Sequence, residues 1–431
     1  MMSAETATVV IFATSGHGNW YIAVLEIRRL LQKAGSICQI RILDSRRIYT
    51  FPLDPSTDKM LIEHFYASLE HSVATELRES GLRWTSFTIT RRGFEADRES
   101  CQPVLTITAL DPDSPQWWNA ILPRLRGVEH GLDVELRYGK LELLTSQEEI
   151  DSVDRLHPDA WGNGMVMGAS CGYQTAETTG TIGISLTLRD KQGEESLFGL
   201  SCHHVVATPE ITRAVEDKPL NAAKCGVMVM SPSDGDHKIT AQVINNEVKI
   251  AQNVLDAKSA KAFVESSAET LNAINEGKER TMENRICSST LRDYANSGGE
   301  VIKEVDTYAA PRTIEGHPPV IKHGRSTGWT TGRLNPVVTV WNSEFMMGYY
   351  GREKSMWTWT AVSCPAKSIC QPGDSGAMII DNGEYAGRFL GHLFAQTTGF
   401  PELGHFIPLH LTFQDVEETT GFTVISLKLN L

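Results

Sequence analysis

The sequence holds no apolar run that reaches the roughly 18 residues a helix needs to cross a bilayer, so membrane spanning by helices is not expected. Its first apolar stretch, Thr8-Val9-Val10-Ile11-Phe12-Ala13, is short for the core of an export signal, and no basic residue precedes it. The expected address is cytoplasmic. Positive charge is also scarce. Forty Lys and Arg stand against 53 Asp and Glu, a net charge of −13, which leaves no basic excess to attract nucleic acid or an anionic membrane surface. Neither is expected as a partner. The eight cysteines lie far apart, at positions 38, 101, 171, 202, 225, 287, 364 and 370, with no C-x-x-C pair and no His/Cys spacing of a structural zinc site. They read as reduced thiols, and nothing in the sequence calls for a metal or an organic cofactor.

What is present is the composition of a soluble globular chain: 41% hydrophobic and 22% charged residues over 431 positions, enough for two or three domains with a sizeable core. Up to about residue 150 the patterns alternate between helix and strand. Trp20, Ala23, Val24, Ile27, Leu30, Leu31 and Ala34 recur at helical spacing ahead of Gly35, and Gln39 to Leu43 alternates as a strand. Leu61 to Ser80 reads as a second helix, stopped by Gly81. Trp84–Thr90 and Pro103–Ala109 are strand-like, Pro115 to Leu122 is helical with Pro123 ending it, and Val134–Tyr138 is again a strand. This β-β-α-β order predicts a small α/β sandwich over residues 1–150. It holds no catalytic constellation: Ser15-Gly16-His17-Gly18 is a loop with a lone histidine. Its expected contribution is regulation or contact with a protein partner, a contact that the helical insert described below could make instead.

Residues 145–163 read as a linker, and from Met165 the texture is that of strands. Thr181 to Leu188 and Ser196 to Cys202 flank the turn Asp190-Lys191-Gln192-Gly193, a hairpin that ends on His203-His204-Val205-Val206. From Ser231 to about Gly277 the spacing is helical, with Ser and Asp residues as N-caps and a break near 256–260, which predicts a helical hairpin inserted over about 234–280. Val301–Ala310, Pro319–His323 and Val337–Trp341 read as strands. Gly324 to Gly332 lacks the Gly-Lys-Ser/Thr ending and the following helix of a phosphate loop and reads as a hairpin turn. Ala377–Ile380 and Tyr385–Phe394 form another hairpin.

The chemistry centres on Gly373-Asp374-Ser375-Gly376. A serine hydroxyl is a poor nucleophile near neutral pH and needs a neighbouring base and N–H donors for the developing oxyanion. The bracketing glycines allow backbone angles that turn the N–H groups of Gly373 and Ser375 toward one point. A histidine after a strand, an acid later and this serine near the end give the chain order His, Asp, Ser.

Gly199-Leu200-Ser201-Cys202-His203-His204-Val205-Val206 resembles the histidine segment of trypsin-like (chymotrypsin, PA clan) serine peptidases, and Gln371 to Met378 resembles their nucleophile segment. Lys322 to Gly332 is similar to a segment that recurs in a group of largely fungal proteins joining an N-terminal α/β region to a trypsin-like domain with a helical insert. The resemblance implies a multidomain α+β chain, with the N-terminal α/β sandwich followed over 164–431 by a trypsin-like double β-barrel. It implies His204 as base, because the valine pair follows it, Ser375 as nucleophile, and Gly373 and Ser375 as oxyanion hole. The third member is Asp306, otherwise Asp293, or no functional acid, since no Asp-Trp-Ala-Leu-Ile run is present; Asp256 lies inside the insert. In secreted trypsins the acid before the nucleophile meets a chain terminus freed by cleavage. Here another cation or donor is expected to meet Asp374. The implied activity is endopeptidase hydrolysis of a protein or peptide through an acyl-enzyme. A catalytically silent module that binds peptides or partner proteins in the same cleft is the alternative.

Overall fold

The computed structural model describes residues 8–13, 20–35, 39–44, 49–128, 131–144, 164–165, 167–173, 178–206, 229–231, 233–254, 265, 281–282, 318–342, 356–363, 368–383 and 386–426. The first of these form a β-α-β unit. β1 (Thr8–Ala13) and β2 (Gln39–Asp44) pair in parallel, joined through α1 (Trp20–Lys33), which is followed by Gly35 at φ +77°.

β3 (Tyr49–Phe51) leads into a helical run of α2 (Lys59–His64), a π turn over Phe65–Leu69 and α3 (Glu70–Glu79). β4 (Trp84–Gly93) and β5 (Gln102–Ala109) are antiparallel. A π turn over Trp117–Ile121 then runs into α4 (Leu122–Val128), which crosses over to β6 (Asp133–Tyr138), parallel to β5. The expected end of this helix at Pro123 is corrected: the helix continues to Val128. A proline inside a helix lacks one N–H donor and crowds the preceding turn, and the π turn just before it supplies the room, with the Leu122 N–H bonding the Trp117 carbonyl five residues back. Phe65, Leu69, Val73, Leu77, Phe87, Ile107, Trp117 and Leu125 pack into one apolar cluster against the sheet. Val337, Val338 and Val340, from two hundred residues later in sequence order, complete it.

β7 (Leu141–Leu143) follows β6 closely. β8 (Gly164–Met165) pairs with a later strand described below. β9 (Ser170–Tyr173), β10 (Gly180–Thr181) and β13 (Val229–Met230) make one three-stranded sheet. β11 (Ile184–Arg189) and β12 (Glu195–Leu200) form the expected hairpin, with Gly193 at φ +88° in its turn, and α5 (His203–Val206) follows it. α6 (Asp234–Val254) begins at Ser233, whose hydroxyl accepts from the Asp236 N–H at 3.3 Å, the N-cap its sequence calls for. β14 (Thr281–Met282) pairs with β8 in parallel. The second arm of the expected helical hairpin and the strand expected over Val301–Ala310, with Asp293 and Asp306, lie outside the described residues.

The remaining strands are β15 (Pro319–Gly324), β16 (Gly328–Leu334), β17 (Thr339–Trp341), β18 (Met356–Ser363), β19 (Met378–Asp381), β20 (Phe389–Thr397) and β21 (Phe400–Pro408). Six of them pair antiparallel in the order β16-β15-β19-β20-β21-β18 and close through β18 back onto β16. The result is a six-stranded barrel within a mixed α+β chain. Closure removes the open edges that would otherwise attract further strands. Of the double barrel implied above, this barrel is the one that closes among the described residues. Ahead of it, β9, β10 and β13 lie in one three-stranded sheet, β11 and β12 in another, and β8 and β14 in a two-stranded one. α7 (Leu409–Thr420), stopped by Gly421 at φ +69°, packs beside the barrel, and β22 (Thr423–Ser426) pairs with β11.

The N-terminal sheet is continuous with the barrel, because β17 pairs with β18 on one side and β4 on the other. Buried polar groups reinforce the seam. The Asn335 side chain accepts from the Leu53 N–H and donates to the Ile89 and Val337 carbonyls. Arg92, buried, meets Glu135 at 2.6 Å and donates to Thr50, whose hydroxyl donates to Glu402 of β21, while the guanidinium lies over the Phe400 ring at 5.0 Å. Among the described residues no helix is long and apolar enough to cross a membrane.

Candidate active site

Two separate parts of the chain bring the histidine and the serine together. The β11–β12 hairpin ends in the single helical turn α5, where Val205 is buried, His203 is exposed and His204 is half-buried. Nε2 of His204 stands 2.5 Å from Oγ of Ser375. His204, the histidine followed by the valine pair, is thus the one that reaches the serine. Burial, with smaller contributions from His203 and His392, pushes its pKa down to about 4. The imidazole is therefore neutral across the usual pH range and free to accept a proton. No carboxylate among the described residues bonds its ring.

Ser375 sits in a tight loop between β18 and β19. Gly373 and Gly376 adopt φ +99° and +98°, the left-handed region that other residues rarely enter, and a side-chain carbon at either would collide with Ser326 or with the Thr181 carbonyl. This pair of turns points the Gly373 and Ser375 N–H groups at one spot, as the glycine spacing implied. The spot is filled: both N–H groups donate to the Leu144 carbonyl oxygen, at 2.6 and 3.3 Å. Leu144 follows directly on β7.

Asp374, between the two donors, is fully buried. Lys322 of β15, also fully buried, reaches its Oδ2 at 2.7 Å, and the carboxylate accepts further from the Thr327 hydroxyl and from the N–H groups of Gln371, Ser326 and Thr327. Burial alone would raise this carboxyl, but the Lys322 charge and these donors outweigh it and hold its pKa below the ordinary value. The expected cation is therefore a side chain of the segment Lys322 to Gly332, which the structure forms as a hairpin turn and not a phosphate loop. The rest of that turn fixes the same loop. Ser326 donates to the Pro372 carbonyl at 2.6 Å, and the Arg325 N–H bonds Thr181 Oγ1, which donates to the Gly373 carbonyl. The Arg325 guanidinium forms a buried bidentate pair with Asp236 at the start of α6.

The short strand β10 and the residues just after it lie across both the histidine and the serine segments, in close backbone contact. A side chain at Gly180 would strike Val205 of α5 and come within 3.0 Å of the Ser375 carbonyl, and one at Gly183 would reach the Gly376 carbonyl. The Thr181 N–H donates to the Ser375 carbonyl at 2.7 Å. Sequence reasoning placed His204, Gly373 and Ser375 from their local runs. It missed Lys322, Arg325, Asp236 and Leu144, whose parts arise from contacts across at least 50 residues of chain. The glycine-bounded Lys322 segment carried a visible signal, and Leu144 carried none.

Three further histidines share the burial of His204. Burial pushes His323 and His392 down to about 4 and His405, hydrogen-bonded to Thr397, to about 3. All four have folded-state values below the unfolded value of about 6.5, so the unfolded chain binds more protons as pH falls and stability is lost in that direction. Denaturant titrations are expected to show little change above pH about 7. Between roughly 6.5 and 4 the loss should be steep, approaching about 5 kcal/mol per pH unit if all four take up a proton on unfolding. A flat profile over that window would show these rings to be charged or exposed.

Comparison with models of protein families gives no match for the chain. Comparison with curated proteins gives none either.

Proposed function

We propose that the chain is a serine endopeptidase of the trypsin-like kind, cutting peptide bonds through an acyl-enzyme. The observation that carries this reading is Ser375 Oγ at 2.5 Å from His204 Nε2, beside two convergent N–H groups that hold a peptide carbonyl. In the proposed cycle His204 takes the Ser375 proton as Oγ adds to the substrate carbonyl, and the oxyanion forms against the Gly373 and Ser375 N–H groups. His204 then protonates the leaving amine, and water, activated by the same ring, releases the acid. Asp306 or Asp293 would orient the imidazole. In the same reading the sheets around β9 and β11 correspond to the first of two barrels, and residues 1–150 form a regulatory α/β domain. The four described cysteines are free, which suits a reducing compartment.

A fluorophosphonate probe tests the proposal, because it reacts with an activated serine and not with an ordinary hydroxyl. Wild-type protein is expected to label at Ser375, and Ser375→Ala is expected not to label. Folded wild-type protein that stays unlabelled would favour the silent peptide-binding module.

A further inference from the structure

The strand that fills the oxyanion site has the form of a bound substrate. β20 pairs with β19 along its first half, at Ile380↔Phe389, Ile379↔Gly391 and Met378↔His392. β19 begins only at Met378, so beyond His392, where the nucleophile loop turns away, the second half of that edge is left open. β7 takes it. Leu143 lies opposite Ala395, Glu142 opposite Gln396 and Leu141 opposite Thr397, all antiparallel. At the end of this ladder the Leu144 N–H donates to the Phe394 carbonyl at 3.1 Å, the same carbonyl that accepts from Ser375 Oγ at 3.3 Å. The N–H and C=O of one residue are thus both bonded to groups at the nucleophile.

The side chains are held as well. Leu144 is fully buried, in the apolar cluster that contains Ile369, Cys370, Leu393 and Phe406. Gly404 leaves room at this place, since a side-chain carbon there would meet Ile369, Leu393 and Cys370 at 2.9 to 3.4 Å. Two residues earlier, the Glu142 carboxylate accepts from the Gln396 side-chain amide at 2.9 Å. An extended peptide that adds to a sheet edge, with one side chain in a pocket and its carbonyl between two N–H donors, is a strand-addition mode of recognition. A carbonyl polarised by two donors beside a serine–histidine pair is also poised for attack.

From this we infer that the chain is its own first substrate, cleaved on the carboxyl side of Leu144, and that its cleft selects extended peptides with a leucine-sized aliphatic residue before the cut and an acidic residue two positions earlier. The inference rests on the reading of Ser375 as a nucleophile. Ser375 Oγ adds to the Leu144 carbonyl carbon and its proton passes to His204. The C–N bond to the next residue breaks, and that nitrogen leaves as an amine carrying the proton. One water then hydrolyses the Leu144 ester, returning the serine hydroxyl and leaving a carboxylate on Leu144. The two pieces stay together, because β4 remains paired with β17 and Arg92 remains engaged with Glu402 across the seam. The new carboxylate end stays in the cleft as a bound product until an outside peptide displaces it.

The test is the intact mass of the full chain, purified as wild type and as Ser375→Ala, with fluorophosphonate labelling of both. The expected result is that wild type co-purifies as two pieces, the first ending at Leu144 and the second beginning at Thr145, while Ser375→Ala stays whole. A wild-type chain that stays whole yet labels at Ser375 overturns self-cleavage and leaves the endopeptidase reading standing. A chain that stays whole and does not label overturns both, and equal cleavage of wild type and Ser375→Ala assigns the cut to a foreign protease. Selectivity is read independently of folding with acetyl-Leu-Glu-Leu-Leu-aminomethylcoumarin and the same peptide with lysine before the coumarin. The leucine peptide is expected to be cut at least about tenfold faster, since a charge would enter an apolar pocket unpaired. Equal rates would overturn the assignment of the pocket.

Discussion

Ser375→Ala, His204→Ala and the double variant are expected to hydrolyse a peptide substrate at the same residual rate, roughly 10⁴- to 10⁶-fold below wild type. In the proposed reaction the two groups act as one device. At 2.5 Å the ring can take the hydroxyl proton in the same step in which oxygen adds to carbon, and either group without the other has nothing to do. Effects of such a pair do not add, so the second substitution should cost nothing once the first is made. His203→Ala is the matching control. Its side chain is exposed, next to but not at the serine, and it should keep wild-type turnover to within a few-fold. Independent, additive losses in the double variant would mean that the two side chains do not cooperate. Full retention of rate in His204→Ala would remove the histidine from the chemistry altogether.

The second large effect concerns stability. Lys322→Met is expected to destabilise the fold by about 3–5 kcal/mol, and Asp374→Asn by a comparable amount, as measured by denaturant unfolding. Both partners are fully buried at 2.7 Å, so removing one leaves the other as an uncompensated charge in the barrel wall. The double change Lys322→Met with Asp374→Leu should recover part of the loss, because replacing a buried pair by apolar groups removes the desolvation cost along with the attraction. The loop does not recover with it. Asp374 also gathers the N–H groups of Gln371, Ser326 and Thr327, and without that anchor Gly373 and Ser375 lose their common aim. The double variant is therefore expected to fold with reduced fluorophosphonate reactivity. A single Lys322→Met variant as stable as wild type would show that Asp374 takes its proton and sits neutral.

How much of this was legible in the sequence depends on how far each contact reaches along the chain. The β11–β12 hairpin, the Ser233 cap of α6 and the strands β4 to β6 follow from neighbours within a few residues, where period and turn chemistry decide. Ser375 could be picked out from the glycines that bracket it, and His204 from the resemblance of its valine-followed run to the histidine segment of trypsin-like peptidases. Pro123 misled, since a proline reads as a helix stop unless a widened turn precedes it, and nothing in Trp117–Ile121 announces one. Lys322 meeting Asp374 was foreseeable only as the need for some cation, because a buried carboxylate demands a partner without saying where in the sequence it comes from. The seating of Leu144 had no sequence signal. Leu141-Glu142-Leu143-Leu144 is an ordinary amphipathic tetrapeptide, and its meaning comes entirely from the open edge of a strand 250 residues away.

Gly180 of β10 and Gly183 just after it carry a further consequence. On the serine side main chain rests on main chain, with Gly180 near the Ser375 carbonyl and Gly183 against the Gly376 carbonyl, while on the histidine side Gly180 meets the Val205 side chain. Such a spacer has a fixed thickness. The two glycines offer no aliphatic side chain to exchange, so repacking away from Val205 should alter what the cleft accepts long before it detunes the proposed proton transfer.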